Sequence, residues 1–106
     1  MRRAAKVDIG QPETVAYLRG LGWHVAHTHR LGQGFPDFLC SRRMNGIPWA
    51  CLVELKSPGG KLTKDEQRFA EEYLGPLIVA YGPEDAAEKL LAEANHHWLT
   101  FGRGRD

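Results

Sequence analysis

Nothing in this 106-residue chain is long and apolar enough to span a bilayer. The longest apolar stretches, around Ala50 to Val53 and Leu77 to Tyr81, fall far short of the roughly 20 residues a membrane helix needs. Cysteine is scarce too. Cys40 and Cys51 stand without a secretory context, so no disulfide framework is expected and the thiols should be reduced. Met1-Arg2-Arg3 is followed by Lys6 and Asp8 with no apolar segment, so no secretory leader is expected and a cytoplasmic location is the default. Charge of either sign is not in excess. A net charge of +1 neither demands nor excludes nucleic acid, because a basic stripe can occupy one face of a neutral protein. Internal repeats and low-complexity segments are missing as well, which excludes a solenoid.

What is present is an ordinary globular composition, 42% hydrophobic and 25% charged, over a length that suits one domain with a single core. Residues 1–106 are read as that domain, with a core of about 8–94. Pro12 opens a helical pattern whose apolar stripe is Val15, Ala16, Leu18 and Leu21, and Gly20 and Gly22 end it. Trp23 to His29 reads as a strand, and Leu31-Gly32-Gln33-Gly34 as a loop. Phe35 to Ser41 and Trp49 to Leu55 read as strands of a hairpin centred on Asn45-Gly46, with Pro48 making its tip irregular. That centre puts Asp37 across from Glu54, and Cys40 across from Cys51.

Thr63-Lys64-Asp65-Glu66 is a capping box, so a helix should run from there to about Leu74 with Phe69, Ala70, Tyr73 and Leu74 on its core face. Leu77 to Tyr81 is a buried strand. Pro83 begins a last helix with Ala86, Ala87, Leu90, Leu91 and Ala94 inward. The tail after Asn95, carrying Trp98, Leu99 and Phe101 and then Arg103 and Arg105, fits either an edge strand or a mobile end. The order is αβββαβα, an α/β fold.

Residues two apart on a strand share a face, so Glu54 and Lys56 point the same way. Opposed side chains lie roughly 4.5–5.5 Å apart, which brings the Asp37 carboxylate beside Glu54. Two carboxylates and an ammonium therefore converge. Like charges held together away from water call for a raised pKa or a bound cation. Mg²⁺ takes one or two carboxylates plus waters and phosphate oxygens, and such a site can hydrolyse a phosphodiester.

These residues carry a family resemblance. Gly34-Phe35-Pro36-Asp37-Phe38 followed by Leu52-Val53-Glu54-Leu55-Lys56 resembles the GxPDx and ExK elements of the VRR-NUC (virus-type replication-repair nuclease) branch of the PD-(D/E)xK nucleases. Lys61 to Gln67 is similar to the family's K-L-T/S segment ending in Gln, with a gap one residue longer than the commonest pattern. Gln11-Pro12-Glu13-Thr14-Val15 resembles the first helix of small stand-alone phage-encoded members, and the likeness runs from about Asp8 to Leu91. Phe38 replaces the usual aliphatic residue.

The resemblance implies a restriction-endonuclease-like core, a central mixed sheet flanked by helices. It also implies Mg²⁺- or Mn²⁺-dependent DNA hydrolysis, with metal held by Glu13, Asp37, Glu54 and the Leu55 carbonyl. Lys56 would be the catalytic lysine and Gln67 would position substrate or water. Related small nucleases are associated with branched DNA such as four-way junctions, in a host cytoplasm.

Each feature has a plainer reading. Glu13 in a first helical turn complements the helix dipole. Gln67 also suits the surface of a capped helix. Arg42, Arg43, Lys61 and Lys64 are candidate phosphate contacts or ordinary solvated cations. His24, His27 and His29 alternate along a strand and could approach phosphate, but read as surface positions. Zinc on Cys40, Cys51, His96 and His97 lacks the usual ligand spacing, and both thiols face away from Asp37 and Glu54. A homodimer is expected from the small size and apolar tail. Two rivals to the enzyme are an inert nucleic-acid-binding module on the same scaffold and a nuclease domain acting only with a replication or repair partner.

Overall fold

The computed structural model describes residues 10–97. In chain order they form α1 (Gly10–Gly20), β1 (His24–His27), β2 (Phe38–Met44), β3 (Ile47–Leu55), α2 (Lys64–Glu72), β4 (Leu77–Ala80) and α3 (Pro83–His97), with a 3-10 turn at His29–Leu31. This is the αβββαβα order expected. The strands make one sheet ordered β1-β2-β3-β4, antiparallel at the first two pairings and parallel at the last. Among the described residues no helix is long and apolar enough to cross a membrane. Trp98, Leu99 and Phe101, on which the expected dimer rested, lie outside the described residues, as does the start before Gly10.

The hairpin turns on two residues alone. Asn45 and Gly46 both have positive φ, 56° and 78°, as a tight turn matching the strand twist requires. Cys40 pairs with Cys51 as expected, but both strands run on to the turn, and Pro48 does not disturb the tip. Bonded and unbonded pairs alternate from the closing pair Met44↔Ile47, so Pro48 turns its nitrogen away from β2. On that side β4 reaches only Leu52 to Leu55. No ladder bond is lost.

β3 separates two environments. Trp49, Cys51, Val53 and Leu55 join Val25, Phe38 and Cys40 in a core covered by Val15 and Leu18 of α1 and Ala86, Ala87, Leu90 and Ala94 of α3. The buried face of α1 is Gln11, Thr14, Val15 and Leu18, a proper helical stripe. Ala16 and Leu21, expected inside, are exposed because Ala16 lies off that stripe and Leu21 follows the helix end. Leu91 is exposed one position round from buried Leu90, and Leu74 is exposed in the turn after α2. Burial pushes the Cys40 thiol up to about 12 and the Cys51 thiol up as well, so both are inert packing groups.

The other face carries Leu52, Glu54 and Lys56 towards α2. That helix is held by Phe69, whose ring lies 4.8 Å from Phe35 and 5.5 Å from Tyr73. Gly34, at φ 81°, lets the start of α2 sit directly on the loop before Asp37, since an added Cβ would run into the Asp65 carbonyl. Gly34→Ala combines strained φ with that collision, so a loss of about 2 kcal/mol or more is expected in denaturant melts. An unchanged melt would show that α2 does not need this close approach.

Candidate active site

The site forms where β2 begins and β3 ends. Asp37 donates its N–H to the Val53 carbonyl at 3.0 Å, although the ladder already pairs Val53 with Phe38. Two residues facing one is a β-bulge, which bends a strand and re-aims a side chain. Direct pairing of Asp37 with Glu54 is thereby corrected: the regular ladder stops at Phe38↔Val53. The bulge turns the Asp37 carboxylate along the strand, where its Oδ2 accepts the Leu55 N–H at 2.8 Å. An extended residue points its N–H and C=O to the same edge, so the Leu55 carbonyl faces the Asp37 side too. Thr28 pins this segment by donating its N–H to the Asp37 carbonyl (2.8 Å) and its hydroxyl to the Pro36 carbonyl (2.7 Å).

Lys56 continues the parallel ladder by donating its N–H to the Ala80 carbonyl at 2.9 Å. Its Nζ lies 3.6 Å from Glu54 Oε2 and 2.7 Å from Glu66 Oε1. Glu66 closes the expected capping box, its Oε1 accepting the Thr63 N–H at 2.8 Å while its own N–H donates to the Thr63 hydroxyl at 3.2 Å. The same carboxylate oxygen thus caps α2 and grips Lys56. The Glu66 charge also bears on Glu54.

Three carboxyl groups and one ammonium share this corner, and their titration reflects it. Burial, then the charges of Asp37 and Glu66, push Glu54 up to about 8, against the pull of Lys56. Burial also raises Asp37, although the Leu55 N–H opposes it and the charges of His29 and Lys56 help to lower it. For Lys56 burial acts downwards, but Glu66 and Glu54 outweigh it and hold the ammonium above its ordinary value. Glu66 is held below the usual range because its bonds to Lys56 and Thr63 outweigh burial.

No protein-family model matches the chain, and no curated protein or solved structure matches it. The arrangement must be judged on its own chemistry. Asp37, Glu54, Leu55 and Lys56 are brought together as expected. Glu13 stands exposed on α1, and among the described residues no three His, Cys, Asp or Glu side chains form a metal-holding group. Asp37, Glu54 and a carbonyl still suit a hard cation that keeps several waters. Gln67 is exposed, and its neighbour Glu66 is the residue turned to Lys56.

Lys61 and Lys64 are exposed around the start of α2. Arg42 donates to the Leu21 carbonyl at 3.0 Å and lies 5.2 Å over the Trp23 ring, whereas Arg43 is exposed and reaches the Gly46 carbonyl at 3.3 Å. Two residues of the site were missed from the sequence. The capping box accounts for Glu66 in the sequence, though the extra residue in the Leu62-to-Gln67 gap points back to it. His29 is expected on the surface of a strand, but the chain turns at Thr28 and carries it into a 3-10 turn, from which its charge acts on Asp37.

Proposed function

We propose that this chain is a divalent-metal-dependent nuclease that hydrolyses DNA phosphodiester bonds on a restriction-endonuclease-like scaffold of the VRR-NUC type. The observation that carries the reading is the meeting of buried Glu54 with Lys56 and of half-buried Asp37 with the adjoining Leu55 N–H, an arrangement that strains both carboxylates towards protonation. A site this costly in charge is expected where a cation or a developing charge is to be met. An inert binding module gains nothing from carboxylates facing phosphate.

Asp37, Glu54 and the Leu55 carbonyl would hold the cation. Bound there, Mg²⁺ or Mn²⁺ would supply an activated water and neutralise charge building on the phosphate. The chain's own groups do the rest. The Leu55 N–H fixes the Asp37 carboxylate in one orientation. Lys56 presents an ammonium beside the carboxylates to hold the water and the phosphate oxygens, and Glu66 keeps that ammonium charged and in place. Branched DNA such as a four-way junction is the substrate class proposed, with a homodimer offering one site to each of two strands.

The test is cleavage of single-stranded, duplex, flap and junction DNA with Mg²⁺ or Mn²⁺, then with excess chelator. Activity should need the metal, and Asp37→Asn should lose both calorimetric Mn²⁺ binding and cleavage while its melt stays cooperative. Cleavage that persists in chelator would sink the metal mechanism. A wild type that binds DNA but neither binds Mn²⁺ nor cuts any substrate would establish the inert module instead.

A further inference from the structure

Over β1 and β2, the sheet face that bears Glu54 is left uncovered among the described residues. By register, His24, Ser41 and Ala50 form one row across three strands, and Arg43 with Pro48 forms the next. Alternation puts both rows on the Glu54 face. His24, Arg43, Pro48 and Ala50 are exposed and Ser41 is half-buried, unlike Leu52, which is buried on the same face. A hollow of about 520 Å³ lies over these rows.

The lining of this hollow has one sign of charge. The basic side chains on this face are Arg43 and His24, and no carboxylate lines it. Its floor, Ser41 and Ala50, is small enough for a backbone to approach closely. It offers no exposed large apolar side chain of the kind that anchors a peptide or a second subunit, since Trp49 is only 9% exposed. Arg42, paired with Trp49 and lying over the Trp23 ring, sends its guanidinium to the opposite face, which leaves Arg43 as the arginine of this hollow. From Asp37 to Ser41 is four residues of strand, roughly 13 Å. At about 3.4 Å of helix axis per phosphate of one strand, a duplex whose axis follows β2 covers that distance in about four nucleotides.

We infer that this uncovered half of the sheet seats the nucleic-acid strand on one side of the cut, with its phosphates against Arg43 and His24 and its backbone over Ser41 and Ala50. The placement rests on the nuclease reading, because Asp37 and Glu54 mark the cut from which the strand is measured. Contacts here go to phosphate, so they add affinity and register without sequence preference.

The experiment is fluorescence-anisotropy titration of labelled DNA in chelator over a range of salt, for wild type, Arg43→Gln and Ala50→Glu. Melting curves should match wild type, since both positions are exposed. Arg43→Gln should weaken binding several-fold and lower the salt slope by about 1. Ala50→Glu, which puts a negative charge on the floor without touching Arg43, should weaken it about tenfold or more. DNA shortened to fewer than about four nucleotides on one side of the cut should bind all three proteins alike. Unchanged affinity and slope in both variants would overturn the inference. So would light scattering in which Ala50→Glu only disrupts a dimer, which would give this face to a second copy. Arg43-dependent binding without any cleavage would uphold the groove and sink the hydrolysis, whereas cleavage with binding blind to Arg43 and Ala50 would do the reverse.

Discussion

Lys56→Met is expected to lower single-turnover DNA cleavage by about 10²–10⁴-fold, the range for losing one acid–base or charge-stabilising group. Mn²⁺ binding should survive. Methionine keeps the length of the stem but removes the ammonium that lies 2.7 Å from Glu66 and 3.6 Å from Glu54. Lys56 also lowers the pKa of Asp37 and Glu54, so without it both carboxylates hold their protons more tightly. The metal titration therefore belongs above pH 8, where those groups ionise and the loss of a nearby positive charge favours cation binding. Retained Mn²⁺ affinity with lost cleavage assigns Lys56 to the chemical step. Wild-type cleavage by Lys56→Met would remove it from the reaction, and parallel loss of metal and activity would make it a structural prop.

Much of this site could be read from local signals. The Asn45-Gly46 turn fixed the register that pairs Cys40 with Cys51, and strand alternation put Glu54 and Lys56 on one face. Thr63 and Glu66 announced the start of α2 through reciprocal capping. What stayed hidden was non-local. The bulge at Asp37 is pinned by Thr28, just past the end of β1, bonding Pro36 and Asp37, which no pattern within β2 reveals. Glu66 looked satisfied because a capping carboxylate has a partner in sequence, yet the same oxygen has room for a second donor from β3. Gln11 and Thr14 lie on the buried face of α1 although their polarity argues for the surface, and this shifted the expected stripe by a turn.

Glu54→Gln should abolish metal-dependent cleavage and at the same time make the protein more stable in chelator at pH 8. Glu54 moves from an ordinary 4.5 to about 8 in the fold, so between those values the folded chain holds a proton that the unfolded chain has released. Its contribution to stability is complete below about pH 4.5 and is lost as pH rises to about 8, at up to about 1.4 kcal/mol per pH unit. Asp37, also raised, acts in the same direction, while Glu66, lowered, acts in the opposite one. Glutamine keeps the shape and can still accept from Lys56, but it has no charge to bury. The variant's stability should therefore fall much less than the wild type's from pH 5 to 8, keeping only the slope Asp37 contributes, with a gain over wild type at pH 8 on the order of a few kcal/mol. Adding Mg²⁺ at pH 8 should raise the wild-type melting temperature and leave the variant's unchanged, because only a ligand bound by the folded state stabilises it. Urea melts at several pH values, with and without Mg²⁺, measure both effects. A wild-type profile that is flat or rises across this window, or a variant less stable than wild type at pH 8, would show that Glu54 is not strained by its neighbours and carries no stored cost for a cation to relieve.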